Sequence, residues 1–240
     1  MKKSIKTYLK TAAKDYSSRS VNPPVVRAST ILFKTMEELR KHQKDIKKKK
    51  DVDYWDYGRQ GTQTTVQLQK LLRGLEEAYQ VFLTPTGFAA VALAIMSICR
   101  PNDEILISDG VYRPTQKLTD DLLKEFNVRA IWYNPSNFED FKNKITKKTK
   151  LIYVENPGSN TFEMNDLGKI VALAKKKNIF TAIDNTWATA YFFKPLKLGF
   201  DISITSATKY YSGHSDVMAG TVAVNKKVYK KVWWYNHVSG

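Results

Sequence analysis

The stretch DISITSATK, residues 201–209, joins a run of apolar and β-branched residues to a short polar turn that ends in a lysine. A second apolar run, FTAI at residues 180–183, is followed at once by Asp184. Such runs predict buried strands, and open α/β sheets bind ligands at the carboxyl ends of their strands. We therefore expect Asp184 and Lys209 to lie on the same edge of a sheet.

The sequence from residue 61 onward alternates short apolar runs with longer helical patterns. One helix is predicted through Leu68–Leu75 and another from Gly87. Further strands are predicted near residues 81–83, 105–107, 130–132, 151–154 and 221–224. Alternation of this kind is typical of an α/β fold in which a mainly parallel sheet is flanked by helices. We therefore predict one large domain over residues 61–240.

Residues 1–60 show no pattern of a compact domain. A short basic helix is followed by an extended piece interrupted by Pro23 and Pro24, and then by a helix from about Met36. A run of lysines, Lys47 to Lys50, comes after that helix. We interpret this region as an N-terminal arm.

The composition narrows the functional classes. A hydrophobic content of 42% over 240 residues suffices for a sizeable core, and a single cysteine, Cys99, excludes an intrachain disulfide framework. The sequence has no secretory leader and no apolar run long enough to span a bilayer, which favours the cytoplasm. The net charge of +16 sits in lysine runs without a nucleic-acid-binding motif, and the three histidines lack metal-ligand spacing. We expect no nucleic-acid or membrane partner and no metal.

Lys209, Asp184, Ser206 and Thr208 together supply the groups that pyridoxal phosphate requires. A lysine amine condenses with the cofactor aldehyde, and the two hydroxyls can donate to its phosphate. A buried carboxylate keeps the ring nitrogen protonated, so that the ring can accept electrons. In a chain with 39 Lys and Arg residues an isolated lysine is ordinarily a surface residue, but the two predicted strand ends favour the cofactor.

Six segments resemble the pyridoxal-phosphate enzymes of cysteine and methionine metabolism, and within them the bacterial cystathionine β-lyases. They are VNPPVVRAST (21–30), YGRQGT (57–62), ENPGSNTFE (155–163), IDNTWA (183–188), SATKY (206–210) and GHSD (213–216). The resemblance runs from about residue 20 to the end of the sequence. It implies a fold-type I large domain, in agreement with the α/β fold predicted from the apolar runs.

The resemblance also implies roles for residues outside the lysine turn. Gly87 and Phe88, at the predicted start of a helix, would bind the phosphate through backbone amides. Tyr112 would stack on the cofactor ring. Tyr57 and Arg59 would reach into the active site of a neighbouring subunit, Tyr57 near the reacting amine and Arg59 at the phosphate. A homo-oligomer, at least a dimer, is therefore expected.

The function that the resemblance implies is that of a carbon–sulfur lyase, which cleaves cystathionine by α,β-elimination to homocysteine, pyruvate and ammonia. Lys209 would hold the cofactor and then act as the base that removes the Cα proton. Residues 155–163 and Trp187 favour β-elimination. Two alternatives stay open: a γ-acting relative, such as methionine γ-lyase or cystathionine γ-synthase, and a non-catalytic remnant.

Members of this family continue beyond the point that matches residue 240, into a smaller C-terminal domain. That domain carries the arginine that binds the α-carboxylate of the substrate. We therefore expect the 240-residue chain to lack that domain, and to bind the cofactor better than it catalyses elimination.

Overall fold

The computed structural model describes residues 4–11, 22–47 and 56–239. Contacts between residues divide the chain into two compact units, Met1–Leu75 with Ser239–Gly240, and Glu76–Val238. The predicted division into an arm of residues 1–60 and a domain of residues 61–240 stays a prediction, because parts of that arm lie outside the described residues.

The first unit consists of helices and an extended segment. The predicted helix near the amino terminus and the predicted helix from Met36 are both confirmed. The extended segment is held by α3, because Thr64 Oγ1 donates to the Pro24 carbonyl at 2.9 Å and accepts from the Val26 N–H at 2.8 Å. Lys48 to Lys50, the end of the predicted lysine run, lie outside the described residues. The helices are α1 (Ile5–Thr11), α2 (Met36–Lys47), a 3-10 turn (Gly58–Gln60) and α3 (Gln63–Glu76).

The second unit is built on a seven-stranded sheet. Its strands are β1 (Gln80–Thr84), β2 (Glu104–Ser108), β3 (Arg129–Tyr133), β4 (Thr149–Glu155), β5 (Phe180–Asp184), β6 (Ile202–Thr205) and β7 (Gly220–Val224). Their order across the sheet is β1-β7-β6-β5-β4-β2-β3. All neighbouring pairs from β6 to β3 are parallel, while β7 runs antiparallel to both β1 and β6. The predicted strands and the mainly parallel sheet are confirmed.

Helices connect the strands, as the alternating sequence pattern predicted. They are α4 (Gly87–Ile98), α5 (Arg113–Lys117) with a π-helical turn (Leu118–Leu122), α6 (Leu123–Glu125), α7 (Phe138–Asn143), α8 (Leu167–Lys177), α9 (Thr189–Phe192), α10 (Pro195–Leu198) and α11 (Lys226–Ser239). Helix α4 contacts β1, β4, β5, β6 and β7. The helix that the sequence predicts from Gly87 therefore covers the centre of the sheet.

Both faces of the sheet are buried, which explains why its strands are apolar throughout. On one face Ile152, Val154 and Ile183 pack against Ile170 and Ala174 of α8. Side chains alternate along a strand, so their neighbours in sequence point to the other face. The apolar cluster around α8 includes none of the described residues of α4. Helix α4 therefore lies on the other face of the sheet. Each fully buried Ile or Val contributes about 1.5–3 kcal/mol to folding.

Cys99 follows α4 and is buried. Burial raises the pKa of its thiol to about 12, so Cys99 has the chemistry of a core residue rather than of a nucleophile. None of the described helices combines the length and the apolar character that crossing a membrane requires.

Candidate active site

The candidate site lies where the parallel strands end. Strand β5 ends at Asp184, whose register partner on β6 is Ile204, and β6 leads directly into Ser206. The N–H of Asn185 donates to the Ile204 carbonyl at 2.8 Å, which continues the pairing past the end of β5. Asp184 and the turn that carries Lys209 therefore leave neighbouring strands at the same edge of the sheet, where the sequence analysis expected them.

Thr186 joins the two segments, although no pattern in the sequence singled it out. Its N–H donates to Asp184 Oδ1 at 2.9 Å, and its hydroxyl hydrogen bonds to the same carboxylate. The same hydroxyl accepts from the Ser206 N–H at 2.8 Å. One short polar side chain thus fixes the distance between the carboxylate and the start of the lysine turn.

Burial raises the pKa of Asp184 above its ordinary value, and the hydrogen bonds from Thr186 act against this rise. A carboxylate in such a place is stabilised by a cationic partner. The protonated ring nitrogen of pyridoxal phosphate would supply that charge. The environment of Asp184 therefore fits the cofactor.

The start of α4 lies against Ser206. Thr86 caps the helix, with its hydroxyl accepting from the Ala89 N–H at 2.9 Å. Helix geometry leaves the N–H groups of Gly87 and Phe88 without an intrahelical acceptor, and the helix dipole favours an anion there. A Cβ atom built on Gly87 would come within 2.6 Å of Ser206 Cβ. The close approach of Gly87 to Ser206 therefore gathers two amides and a hydroxyl into a cradle that suits a phosphate.

The lysine turn is fixed by its own backbone. The Lys209 N–H donates to the Ser206 carbonyl at 3.0 Å, and the Gly213 N–H donates to the Lys209 carbonyl at 2.8 Å. The Lys209 side chain is exposed. The Thr208 hydroxyl donates to the Ala219 carbonyl and accepts from the Ala219 N–H, both at 3.0 Å. A phosphate contact by Thr208 would thus compete with this bond, and it stays a prediction.

Tyr112 follows β2 on the same edge, with half of its surface exposed. Its N–H donates to Glu155 Oε2 at 2.7 Å. Glu155 ends β4 and is the register partner of Asp184, so the two carboxyl groups point to the same face. Burial, and next the charge of Asp184, raise the pKa of Glu155 to about 8. Sequence reasoning quoted Glu155 within a family segment but assigned it no role.

Two aromatic residues at this edge contact each other. The rings of Phe162 and Trp187 lie edge to face with centroids 5.2 Å apart, and both are largely exposed. Phe162 has a φ of 57°, a left-handed backbone that a bulky residue rarely adopts. The two regions on which the preference for β-elimination was based, residues 155–163 and Trp187, therefore meet in the structure.

Tyr57 and Arg59 belong to the first unit. Tyr57 is about half exposed and forms an isolated β-bridge with Thr30, and Arg59 lies in the 3-10 turn that follows. Gly58 permits this bridge, since a Cβ atom there would meet Ser29 Cα at 2.8 Å. Their predicted reach into a neighbouring subunit stays a prediction.

The structure thus brings most of the predicted site residues to one edge of one sheet: Gly87, Phe88, Tyr112, Asp184, Ser206, Thr208 and Lys209. The residues present fit pyridoxal phosphate, because a phosphate cradle, a buried carboxylate and an exposed lysine occur together. Tyr57 and Arg59 belong to the first unit.

Comparison with known proteins gives a consistent picture. A cystathionine β-lyase of Haemophilus influenzae is 37% identical over 229 residues, which are 95% of this chain and 57% of that protein. An L-alanine/L-glutamate racemase of Wolbachia pipientis is 32% identical over 224 residues, 91% of this chain and 55% of that protein. The crystal structure of cystathionine γ-lyase from Lactobacillus plantarum complexed with L-serine superposes with a TM-score of 0.88 at 27% identity, and covers 98% of this chain and 59% of that one.

The chain spans little more than half the length of the curated relatives it matches. The Cys/Met metabolism PLP-dependent enzyme family matches residues 6–240. Together with the fold and the group of residues at the strand ends, this match shows that the chain belongs to the Cys/Met metabolism family of pyridoxal-phosphate-dependent enzymes.

Proposed function

We propose that this chain binds pyridoxal phosphate through Lys209 and that the enzyme it forms cleaves the Cβ–S bond of cystathionine by α,β-elimination. The observation that carries the proposal is the link from Asp184 through Thr186 to Ser206, with 2.9 Å and 2.8 Å hydrogen bonds. This link joins the buried carboxylate to the start of the turn that carries Lys209, and Ser206 lies close to Gly87 at the start of α4.

When bound, pyridoxal phosphate supplies an electron sink for the negative charge that develops at the substrate Cα. Residues of the chain would hold the cofactor and move the proton. Lys209 would hold the cofactor through its amine, and its Nζ would be the base that takes the proton from the substrate Cα. Asp184 would hold the ring nitrogen protonated, and Ser206 with the amides of Gly87 and Phe88 would hold the phosphate. Tyr112 would keep water from one face of the ring.

β-Elimination is the reaction that the described residues favour. With water, cystathionine gives homocysteine, pyruvate and ammonia, while γ-elimination gives 2-oxobutyrate and racemisation gives no oxo acid. The contact between Phe162 and Trp187 joins the two segments on which the preference for the β-reaction rests. A γ-acting enzyme remains the second candidate because the γ-lyase structure superposes with a TM-score of 0.88. A non-catalytic, cofactor-binding protein is the third.

We also propose that the enzyme is a homo-oligomer of the cytoplasm, with each site completed by a neighbouring subunit. Tyr57 and Arg59 lie in a helical unit with few buried apolar residues, and both side chains are exposed. Arg59 would grip the phosphate as a fork, and Tyr57 would approach the reacting amine.

Absorption spectroscopy of the purified chain tests the proposal. Added pyridoxal phosphate should give the absorption band of a lysine-bound cofactor at the short-wavelength end of the visible range. Borohydride should then attach the cofactor permanently to a peptide that contains Lys209. Lys209→Ala should lose both the band and the adduct. Lys230→Ala, which removes an exposed lysine of α11, is the control and should keep them. A Lys209→Ala variant with the normal band and an adduct elsewhere would refute the proposal.

A further inference from the structure

Glu155 is a buried acid that contacts a predicted site residue and lies next to another. We propose that Glu155 is a positioning residue, which fixes Tyr112 over the cofactor by holding its backbone N–H. The inference rests on the proposed function, since it concerns the same cofactor site, but it assigns a role to a residue that the proposed chemistry does not use.

The hydrogen bond from Tyr112 to Glu155 is short and joins the loop after β2 to the end of β4. It measures 2.7 Å from the Tyr112 nitrogen to Glu155 Oε2, between residues 43 positions apart. Tyr112 needs such an anchor, because its side chain is 50% exposed and is not held by the core. The residue also precedes α5 without a side-chain cap of its own, so that its backbone direction sets where the ring points.

A second donor ties another loop to the same carboxyl group. The hydroxyl of Ser159 hydrogen bonds to Glu155, and the Ser159 N–H donates to the Gly110 carbonyl at 2.7 Å. Glu155 therefore connects the loop after β2, which contains Gly110 and Tyr112, with the loop after β4. These two loops flank the edge at which Asp184 lies.

Burial of the ionisable Glu155 side chain lowers the free energy of unfolding relative to a neutral residue at the same place. Its side chain is 6% exposed, its register partner is Asp184, and the pKa of Glu155 rises to about 8 through burial and that neighbouring charge. Perturbed acids of this kind gather at functional sites. A protonated Glu155 can still accept from the Tyr112 N–H through Oε2, so the hydrogen bond does not require a charge on Glu155.

Three substitutions separate the hydrogen bond from the charge. Glu155→Gln keeps an acceptor oxygen and removes the charge, while Glu155→Leu has a similar volume and no acceptor. Ser159→Ala removes only the second donor and leaves the buried carboxyl group in place. Glu104→Gln is the matched control, because Glu104 is 3% exposed and bonds to Arg129 and Thr146 at the opposite end of β2.

Amide exchange in the absence of cofactor measures whether Glu155 holds Tyr112. In protein labelled with nitrogen-15 tyrosine, the Tyr112 amide of Glu155→Leu should exchange about tenfold faster than in the wild type. Glu155→Gln and Glu104→Gln should stay within about twofold, and the Tyr229 amide in α11 serves as the internal reference. Ser159→Ala, which leaves the Tyr112 bond intact, should give a smaller increase. If Glu155→Leu does not fold, Glu155→Ala takes its place, and a Tyr112 amide that exchanges no faster in a folded Glu155→Ala overturns the proposal.

Circular dichroism of the bound cofactor measures whether the Tyr112 ring is positioned. The cofactor band should weaken strongly in Glu155→Leu and be restored in Glu155→Gln, a pattern that a loss of global stability does not give. An unchanged band and unchanged Tyr112 exchange in a folded Glu155→Leu would overturn the inference. If the wild-type chain itself takes up no cofactor, the proposed function fails, while the exchange experiment still decides whether Glu155 holds Tyr112.

Discussion

The hydroxyl of Tyr211 donates a hydrogen bond to the carboxylate of Glu76, with 2.9 Å between the two oxygens. Glu76 is the last residue of α3 and only 1% exposed, and Tyr211 lies two residues after Lys209. Ser203 on β6 gives the same carboxylate a longer hydrogen bond of 3.3 Å. The far end of the lysine turn is therefore tied to a buried acid.

We expect this acid to make stability depend on pH. Burial raises the pKa of Glu76 from 4.5 to about 7, so between these values the folded chain keeps a proton that the unfolded chain has released. The stability that this proton contributes is complete below about pH 4.5 and is lost as the pH rises through about 7. A shift of this size corresponds to roughly 3 kcal/mol. Glu76→Gln should flatten this part of the curve.

Urea unfolding at pH 5 and at pH 9 measures the effect. The wild-type chain should lose about 2–3 kcal/mol more between the two conditions than Glu76→Gln does. Glu77→Gln is the control, because Glu77 is an exposed neighbour whose pKa is lowered by Lys194 and Lys197. The same loss in the wild type and in Glu76→Gln would show that Glu76 does not retain the proton.

Two helix-start glycines should respond in opposite ways to alanine. In Gly87→Ala the new methyl group would collide with Ser206, whereas in Gly168→Ala its nearest neighbour is Asp166 Oδ1 at 3.7 Å. Gly87→Ala should weaken cofactor affinity about tenfold or more by widening the phosphate cradle. Gly168→Ala should leave affinity unchanged and add up to about 1 kcal/mol to stability. Fluorescence titration with the cofactor and thermal unfolding report the two quantities, and equal affinities would rule out the cradle.

Removal of the Asp184 carboxylate should weaken cofactor binding and abolish any elimination. The ring nitrogen would lose the partner that keeps it protonated, so Asp184→Ala should lower affinity by about tenfold or more. Asp201→Asn is the control, since Asp201 is also buried but precedes β6 at the opposite edge of the sheet. It should lower stability and leave the affinity of the folded fraction unchanged. Near-normal turnover in Asp184→Ala would place the functional carboxylate elsewhere.

Sites shared between subunits should show complementation. Arg59→Ala and Lys209→Ala each remove one part of the site, so a mixed oligomer contains one site that keeps both residues. The two variants are co-expressed with different affinity tags, and the hybrids are purified through both tags. They should recover up to about a quarter to a half of the wild-type rate of pyruvate formation, as random pairing allows. The experiment requires a protein extended to the length of its relatives. Demonstrated hybrids without recovery would mean that Arg59 serves its own subunit.

The 240-residue chain alone should turn over cystathionine slowly or not at all. It covers 57% of the Haemophilus influenzae relative, and the resemblance assigns the carboxylate-binding arginine to the remaining part. Loss of that orientation costs about a hundredfold in rate or more. Pyruvate release, measured beside that relative, provides the comparison. A comparable rate would mean that another group in this chain orients the substrate.

Local sequence patterns were sufficient for the strands and for the edge on which the site lies. The apolar run before Asp184 and the run before Ser206 predicted β5 and β6 at the observed places, because both faces of these strands are buried. Family segments then assigned roles to Gly87 and Tyr112. None of these steps required knowledge of a contact between distant residues.

The contacts that hold the site together were not accessible in this way. The bonds from Thr186 to Ser206, from Tyr112 to Glu155 and from Tyr211 to Glu76 join residues that are distant in the chain. Their partners are single polar residues without a periodic pattern. The sequence also could not show that the Thr208 hydroxyl is engaged by Ala219, since this depends on the position of β7.

Strand β7 lies between β1 and β6 although it comes last in sequence among the described strands. During synthesis, β1 therefore stays unpaired until β7 has emerged from the ribosome, when nearly all of the second unit has been made. Pairing over such a separation is slow, because the loop must close before the contacts form. Gly87 follows β1 and Ser206 follows β6, so we expect the two halves of the phosphate cradle to meet only late in folding. Until then the nascent chain exposes an unpaired strand edge and lacks the anion site.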